Sequence, residues 1–126
     1  PVTFVSVHTS RPVTSGELPI WTAQHEALAE LVRSRTTPLV LAGDFNATTS
    51  HRPFRHLLGA GIVDSHRALG DGLVNSWPNN RVVPPFVRID HVLATAEIVA
   101  RSVRNGEGDG SDHVPVVAEL ALVGAR

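Results

Sequence analysis

Asp44 and Asn46 place a carboxylate and a carboxamide two residues apart in the segment Gly43-Asp44-Phe45-Asn46-Ala47. In extended backbone both side chains project to the same side, so an acceptor and a donor would face one ligand. The same side chains can instead form an Asx-type turn, in which they bond only the neighbouring backbone. The spacing by itself favours neither interpretation.

Two further segments each place a carboxylate beside an imidazole. Asp112 and His113 stand before an apolar run, and Asp90 and His91 follow closely after Arg88. Adjacent residues on a strand point to opposite faces, so Asp112 and His113 are expected to act separately rather than bond each other. Arg88 and Asp90 would share a face, which is also consistent with a surface ion pair that contributes little to stability.

Together these side chains have the chemistry of phosphate-ester hydrolysis. Carboxylates hold a hard cation such as Mg²⁺ through oxygen, a histidine oriented by a carboxylate contacts groups around a phosphate, and amides stabilise developing charge. A Ser-His-Asp triad fits less well, because the sequence contains no Gly-x-Ser-x-Gly segment. It also has no cysteine for a zinc ribbon and no glycine-rich nucleotide loop.

Hydrophobic periodicity predicts the elements that position these side chains. The predicted strands span residues 2–7, 39–42, 87–94, 98–104 and 114–122, and the predicted helices span 20–32 and 53–58. The short connection between the third and fourth of these strands predicts an antiparallel hairpin. The candidate residues above, and His8, lie on or beside strand ends, where α/β folds place chemistry because the scaffold is stiff and the side chains are accessible.

Composition limits the class of protein. The 126 residues, 42% hydrophobic with a net charge of −1, suit one globular domain and argue against a strongly basic nucleic-acid binder. The longest apolar runs fall far short of the ~20 residues that a membrane-spanning helix needs, so no transmembrane segment is expected. Because the chain contains no methionine and opens directly in a predicted strand, we expect residues 1–126 to form a single, partial domain of a longer protein.

Three segments in this order and spacing resemble the endonuclease/exonuclease/phosphatase superfamily, which includes DNase I-like nucleases, abasic-site endonucleases, inositol-polyphosphate phosphatases and neutral sphingomyelinases. These segments are Gly43–Ala47, Arg88–Leu93 and Gly110–Val116. The run from Val5 to His8, with Pro12 and then Gln24, also fits the superfamily pattern. The resemblance implies an α/β fold of the α+β sandwich type, with a mixed, mainly antiparallel sheet and helices on one face, forming half of a four-layer DNase I-like sandwich.

The resemblance also implies how water and metal are held. Asp44 would orient or deprotonate the attacking water and contribute to the metal site, and Asn46 would hold the phosphate. Asp112 would be the second metal ligand. The implied cofactor is Mg²⁺ or Mn²⁺, and the implied activity is that of a metal-dependent phosphoesterase.

Two histidines would contact the phosphate in the same scheme. Asp90 would orient His113 against the scissile phosphate, and His8 would be the second phosphate-contacting histidine. The substrate stays undecided among nucleic acid, an inositol phosphate and a phospholipid headgroup. The few aromatic residues and the lack of lysine and tyrosine weaken the nucleic-acid alternative.

Members of that superfamily are considerably longer, and their first half supplies an asparagine and a metal-binding glutamate for which this sequence has no matching motif. The resemblance therefore implies the carboxy-terminal half of the fold. A lone half would expose more apolar sheet surface than the few hundred Å² that soluble monomers tolerate. We expect the missing amino-terminal half or a second copy to cover it, and the alternative function is that of a non-catalytic fragment or assembly module.

The remaining polar and aromatic candidates have simpler interpretations. Trp77 is predicted to be a core or groove-wall residue, and His91 a structural one. Arg81 and Arg88 are candidate phosphate contacts, although a solvated surface is the commoner environment for arginine. Four other histidines match no motif and are predicted to lie on the surface or beside helices: His25, His51, His56 and His66.

Overall fold

The computed structural model describes residues 1–80 and 82–124, so Arg81 lies outside the described residues. The elements are β1 (Thr3–His8), α1 (Glu17–Ser34), β2 (Leu39–Asp44), α2 (Arg52–Gly59), β3 (Ile62–Asp64), α3 (Ser65–Ala68), β4 (Asp90–Thr95), β5 (Ile98–Asn105) and β6 (Val116–Leu122). Within these ranges no helix combines the length and apolarity required to cross a bilayer.

The strands form two sheets. The larger sheet has the order β1-β2-β4-β3, in which β1 and β2 are parallel and the other two pairs are antiparallel. The smaller sheet pairs β5 with β6 in antiparallel orientation. The predicted mixed, mainly antiparallel arrangement is therefore confirmed.

Helix α1 connects the two parallel strands, as such a pair requires. It begins three residues before the predicted start, at Glu17, whose backbone N–H donates to Thr14 Oγ1. Pro19 is tolerated in its first turn, where a backbone N–H has no intrahelical partner. The parallel crossover places the ends of β1 and β2 side by side.

The predicted hairpin between β4 and β5 is wrong. The two strands are separated by only residues 96 and 97 but belong to different sheets. Strand β4 already pairs with β2 along one edge and with β3 along the other, so it has no free edge to offer β5. The connection instead turns a corner from the larger sheet to the smaller one.

The two faces of the larger sheet have different coverings. Helices α1 and α2 cover one face, where Leu41 and Leu93 are fully buried in the main apolar cluster. On the opposite face a smaller cluster joins Val40 and Ala94 to Ile98 of β5. At the β1 edge this second face is not covered by other elements, since Phe4 of β1 is 71% exposed.

Two histidines predicted to lie on the surface or beside helices are instead buried within helices. His25 falls on the stripe of α1 that faces the sheet, and its ring packs edge-on against Trp21 with centroids 4.9 Å apart. His66 lies in the short helix α3, which was not predicted, and its Nε2 bonds Asn105 Oδ1 at 3.3 Å. His56 is half-exposed on α2, in agreement with the prediction.

Burial of His25 makes the stability of the fold depend on pH. Its Nδ1–H donates to the carbonyl oxygen of Trp21, and burial lowers the pKa of His25 below its ordinary value of 6.5. The unfolded chain therefore takes up a proton that the folded chain resists. The neutral, buried His25 ring contributes fully to stability above pH 6.5, the ordinary pKa of histidine. This contribution is lost as the pH falls through the lower pKa that His25 has in the folded chain.

We expect the free energy of unfolding to be lower at about pH 5.5 than at about pH 7.5, and this difference to be smaller in His25→Asn. Asparagine keeps a donor for the Trp21 carbonyl but does not titrate in this range. Urea unfolding at both pH values measures the difference. An equal pH dependence in the variant would contradict the assignment, whatever the variant's absolute stability.

Candidate functional site

Three of the predicted site residues lie side by side on one rung of the larger sheet. Strand register pairs His8 with Asp44 across β1 and β2, and Asp44 with Asp90 across β2 and β4. Paired residues point to the same face of a sheet. All three side chains therefore project from the face opposite α1 and α2.

His113 reaches this rung from the loop that precedes β6. Its Nδ1–H donates to Asp90 Oδ2 at 2.7 Å, and its Nε2 lies 3.9 Å from Asp44 Oδ2. The Nε2 of His8 lies 3.8 Å from the same oxygen of Asp44. One carboxylate oxygen thus has an imidazole on either side.

The charges in this group alter its protonation. Burial alone would lower the pKa of His113, but the hydrogen bond and charge of Asp90, with the charges of Asp44 and Asp112, raise it. Burial raises the pKa of Asp44, and the negative charge of Asp90 raises it further. The hydrogen bond from the Asn46 backbone acts in the opposite direction and lowers it. The arrangement favours a cationic His113 beside a carboxyl group of increased basicity.

Asp44 forms the Asx-type turn with Asn46 through only one of its two carboxylate oxygens. Asp44 Oδ1 accepts the backbone N–H of Asn46 at 2.7 Å, which is the Asx-type turn. The other oxygen, Oδ2, faces the two imidazoles. The turn therefore orients the carboxylate through Oδ1 and leaves Oδ2 available for other contacts.

Asn46 has a left-handed backbone conformation, with φ of 46°, which asparagine tolerates better than most residues. Its side-chain Nδ2 donates to the carbonyl oxygen of Thr9 at 2.8 Å. The preceding carbonyl, of Phe45, accepts Thr9 Oγ1 at 2.6 Å and Trp21 Nε1 at 3.2 Å. These bonds fix the left-handed residue beside the end of β1.

Gly43 allows β1 and β2 to approach closely just before this rung. Its φ is +142°, and a Cβ built there would overlap the carbonyl oxygen of Val7. Only glycine avoids this overlap at the residue before Asp44. The glycine of the motif is therefore required by the packing of the two strands.

Arg88 is neither a surface ion-pair partner of Asp90 nor a phosphate contact, contrary to both predictions. It is only 7% exposed, and its NH1 lies 2.6 Å from Asp64 Oδ2 and 2.8 Å from His91 Nδ1. Because Nδ1 accepts from Arg88, Nε2–H of His91 donates to the Ala47 carbonyl at 2.7 Å. His91 is structural, as predicted, and this buried chain ties β3 and β4 to the end of the Asp44 segment.

Asn79, which was not among the predicted site residues, holds the loop that carries His113. Its Nδ2 donates to the carbonyl oxygens of Gly108 and Ser111 at 2.7 and 3.0 Å. Its backbone N–H donates to the carbonyl oxygen of Asp112 at 2.6 Å. A Cβ on Gly108 would collide with the Asn79 amide. No local signal marks Asn79, because its partners lie about thirty residues away.

The candidate metal ligands divide between two environments. Asp44, Asp90 and His113 offer ligand atoms that all lie within 4.8 Å of one another. Asp112 lies outside that group, exposed on the border of the same cleft. His8 also borders the cleft and is 80% exposed.

The cleft that contains these groups has a volume of about 570 Å³. Its polar lining includes His8, Asp44, Asn46, Asp112 and His113. Five of the residues predicted to form the site therefore share one cavity, and Asp90 supports it from behind through His113. Trp77 also lines the cleft, in agreement with the predicted groove-wall position.

Comparison with known proteins gives a family match. Residues 2–113 match the profile of the Endonuclease/Exonuclease/phosphatase family. A sequence comparison with curated proteins gives no significant match. The matched range contains every candidate residue named above.

Similar solved structures have the same DNase I-like fold. An endonuclease/exonuclease/phosphatase from Beutenbergia cavernae is 26% identical, with a TM-score of 0.70 over 97% of this chain and 36% of its own. A 3'-5' exonuclease from Neisseria meningitidis is 23% identical, with a TM-score of 0.71 over 92% of this chain and 60% of its own.

A mannosyl-6-phosphatase from Bacteroides thetaiotaomicron is also similar, at 21% identity and a TM-score of 0.65. The match covers 94% of this chain and 51% of the phosphatase chain. This chain thus spans from about a third to three fifths of the length of the three similar structures.

We expect Asn79→Ala to lower the free energy of unfolding by about 1–2 kcal/mol, because two side-chain hydrogen bonds to the His113 loop are lost. Nuclear magnetic resonance should also show the loop more mobile and the His113 Nδ1 proton exchanging faster. Asn80→Ala is the matched control, since the Asn80 side chain bonds the backbone of Val82 and Val83. Equal exchange at His113 in both variants would contradict the positioning role of Asn79.

Proposed function

This chain belongs to the endonuclease/exonuclease/phosphatase family, and we propose that it carries catalytic residues of a divalent-metal-dependent phosphoesterase. The observation that carries the proposal is the hydrogen bond from His113 to Asp90 beside Asp44 Oδ2. A histidine bonded to a carboxylate in this way favours the positively charged imidazole, which can bind an anion. The neighbouring carboxylate of Asp44 is available to a water molecule. In the proposed reaction, water attacks phosphorus directly, without a covalent enzyme intermediate.

Asp44 acts on the attacking water in this proposal. Burial raises the pKa of its carboxyl group, which makes the carboxylate a stronger base than a solvated aspartate. The bond from the Asn46 backbone holds Oδ1, so Oδ2 is the atom that orients the water or accepts its proton. Asn46 holds the phosphate through its side-chain amide.

The two imidazoles act on the phosphate. His113, kept cationic by Asp90, contacts the scissile phosphate and offsets the negative charge that develops as water adds. His8 contributes a second contact from the other side of Asp44. Asp90 is a positioning residue, because it acts through His113.

The donor set fits a hard divalent cation, and members of this family depend on such ions. Asp90 Oδ2 is engaged by His113, so we assign the cation to the carboxylates of Asp44 and Asp112, which border one cleft. Mg²⁺ or Mn²⁺, when bound, supplies Lewis-acid stabilisation of the phosphate charge. Two carboxylates leave further coordination positions to water, to substrate or to groups from another segment.

We expect hydrolysis of bis-p-nitrophenyl phosphate in the presence of Mg²⁺ or Mn²⁺, and a loss of about a hundredfold or more in kcat for Asp44→Asn and His113→Gln. Chelation of the metal should abolish turnover. His56→Gln is the matched control for a histidine substitution, because His56 is half-exposed on α2 and bonds Glu26. Retained turnover in both site variants, or after chelation, would overturn the proposal.

An assembly function is the second candidate, and exposed apolar surface on the catalytic face favours it. Phe4 is 71% exposed on β1, four residues before His8 and on the same face of the sheet. We propose that residues 1–126 form part of a larger domain in which another sheet covers this face. That sheet is an amino-terminal half or, for this chain alone, a second copy.

We expect specific activity to rise with chain concentration if a second copy completes the site, and Phe4→Glu to abolish this rise. Sedimentation should show the variant shifted toward monomer, because a charge on that face opposes burial. Leu73→Glu adds the same charge at a residue that is 96% exposed on the loop after α3 and serves as the control. Constant specific activity together with a monomeric parent chain would exclude completion by a second copy.

A further inference from the structure

Three of the seven histidines, all of them within the described residues, line the cleft, and the proposed reaction uses only two of them. His8 and His113 lie on either side of Asp44 Oδ2. The third, His51, belongs to none of the sequence motifs and directly precedes helix α2. Its ring is partly exposed and borders the same cavity as Asp44 and Asn46. The proposed reaction leaves the role of this imidazole open.

Hydrogen bonds in both directions between Thr48 and His51 hold the ring in place. The backbone N–H of His51 donates to the carbonyl oxygen of Thr48 at 3.0 Å, and the backbone N–H of Thr48 donates to His51 Nδ1 at 2.9 Å. Trp21, which is 2% exposed, packs edge-on against the ring with centroids 5.4 Å apart. The ring is therefore oriented before any ligand arrives, and binding does not have to order it.

These contacts decide which ring nitrogen carries the proton. A backbone N–H can only donate, so Nδ1 of His51 is the acceptor and the proton of the neutral ring lies on Nε2. Among residues 1–80 and 82–124, no group bonds this Nε2, whereas Nδ1 also lies 3.2 Å from Thr48 Oγ1. His51 thus offers the cleft an N–H donor that has no partner in the described part of the chain.

The turn between Thr48 and His51 does not itself require this donor. His51 is the N-cap residue of α2, but its side chain makes no capping hydrogen bond to that helix, whose residues 52–59 are all described. The bond from Thr48 needs only an acceptor at the place of Nδ1, which the side-chain oxygen of asparagine would also supply. What the imidazole adds is the Nε2–H group at the far end of the ring.

The position of His51 relates it to the phosphate site at Asn46. Thr48 follows Asn46 by two residues, and Trp21, against which the His51 ring packs, donates through Nε1 to the carbonyl oxygen of Phe45 at 3.2 Å. Asn46 Nδ2 already donates one hydrogen to a backbone carbonyl at 2.8 Å, which leaves one for a ligand. A phosphate group has three strong acceptor oxygens, so a further donor next to Asn46 suits its chemistry.

We propose that His51 is a further phosphate-binding residue, whose Nε2–H donates to an oxygen of the substrate phosphate beside Asn46. The inference rests on the proposed function, because that function places the phosphate at Asn46. His51 acts in binding and takes no part in proton transfer. Its loss is therefore expected to raise KM for a phosphate ester more than it lowers kcat.

Two substitutions separate the functions of the two ring nitrogens. His51→Asn keeps an acceptor for Thr48 and removes the distal donor, whereas His51→Gln keeps a distal N–H donor and loses the acceptor. With Mg²⁺ present, calorimetry should show inorganic phosphate binding to His51→Asn about tenfold more weakly than to the parent chain, as expected for a lost hydrogen bond to a charged group. His51→Gln should keep most of the affinity.

Urea unfolding of the same variants should give the opposite order. His51→Asn should be about as stable as the parent chain, and His51→Gln less stable, because the Thr48 N–H loses its acceptor. His56→Asn is the matched control for phosphate binding, since His56 is half-exposed on α2 and bonds Glu26. Equal phosphate affinity in His51→Asn and the parent chain, or no binding of phosphate to the parent chain, would overturn the inference.

Magnetic resonance of the unmodified chain tests the contact directly. Proton–nitrogen correlation spectra should show His51 with its proton on Nε2, and saturating phosphate should shift that nitrogen while the His56 nitrogens stay unchanged. An Nε2 signal of His51 that does not respond to phosphate would contradict the proposal.

Two further outcomes distinguish this inference from the proposed function. Phosphate binding that depends on His51, without hydrolysis of bis-p-nitrophenyl phosphate, would support the role of His51 and contradict the catalytic proposal. Hydrolysis together with phosphate binding that His51→Asn leaves unchanged would do the reverse.

Discussion

The register of β1, β2 and β4 is the constraint on which the site depends. It aligns His8, Asp44 and Asp90 on one rung and directs all three side chains away from the helices. A shift of one residue in either pairing would move a side chain to the helix-covered face. The close approach at Gly43 and the buried leucines on the opposite face fix this register. The packing of the core thus determines the geometry of the polar group.

Hydrogen bonds from every side stabilise the turn after β2. Asn46 has an unfavourable backbone conformation, which persists because Trp21 of α1, Thr9 after β1 and Ile89 before β4 each bond the adjacent residue Phe45. His91, held by Arg88, adds a bond to Ala47 from behind the sheet. The result is a rigid turn that leaves one oxygen of Asp44 directed into the cleft. Rigidity of this kind lowers the reorganisation that a charged transition state would require.

His113 depends on tertiary structure more than the other members of the group. It comes from a glycine-rich loop that hydrogen bonds from the backbone and side chain of Asn79 hold in place.

The sequence by itself determined the motifs, most of the strands and helices, and the carboxylate, amide and imidazole groups that form the site. These follow from residue type and short-range periodicity, which the chain carries locally. Pairing of His113 with Asp90 was also foreseen, through the resemblance to a known family. The three-residue strand β3 and the four-residue helix α3 were missed, because elements so short contain too few residues to show a period.

Only the tertiary structure decided which surfaces meet. It separated β4 from β5, because both edges of β4 are taken by other strands. It buried His25, His66 and Arg88, whose polarity had suggested the surface, because each packs against or bonds residues of elements distant in sequence. It placed Asn79 under the His113 loop for the same reason. Contacts between distant segments depend on how whole faces pack, and no local pattern encodes them.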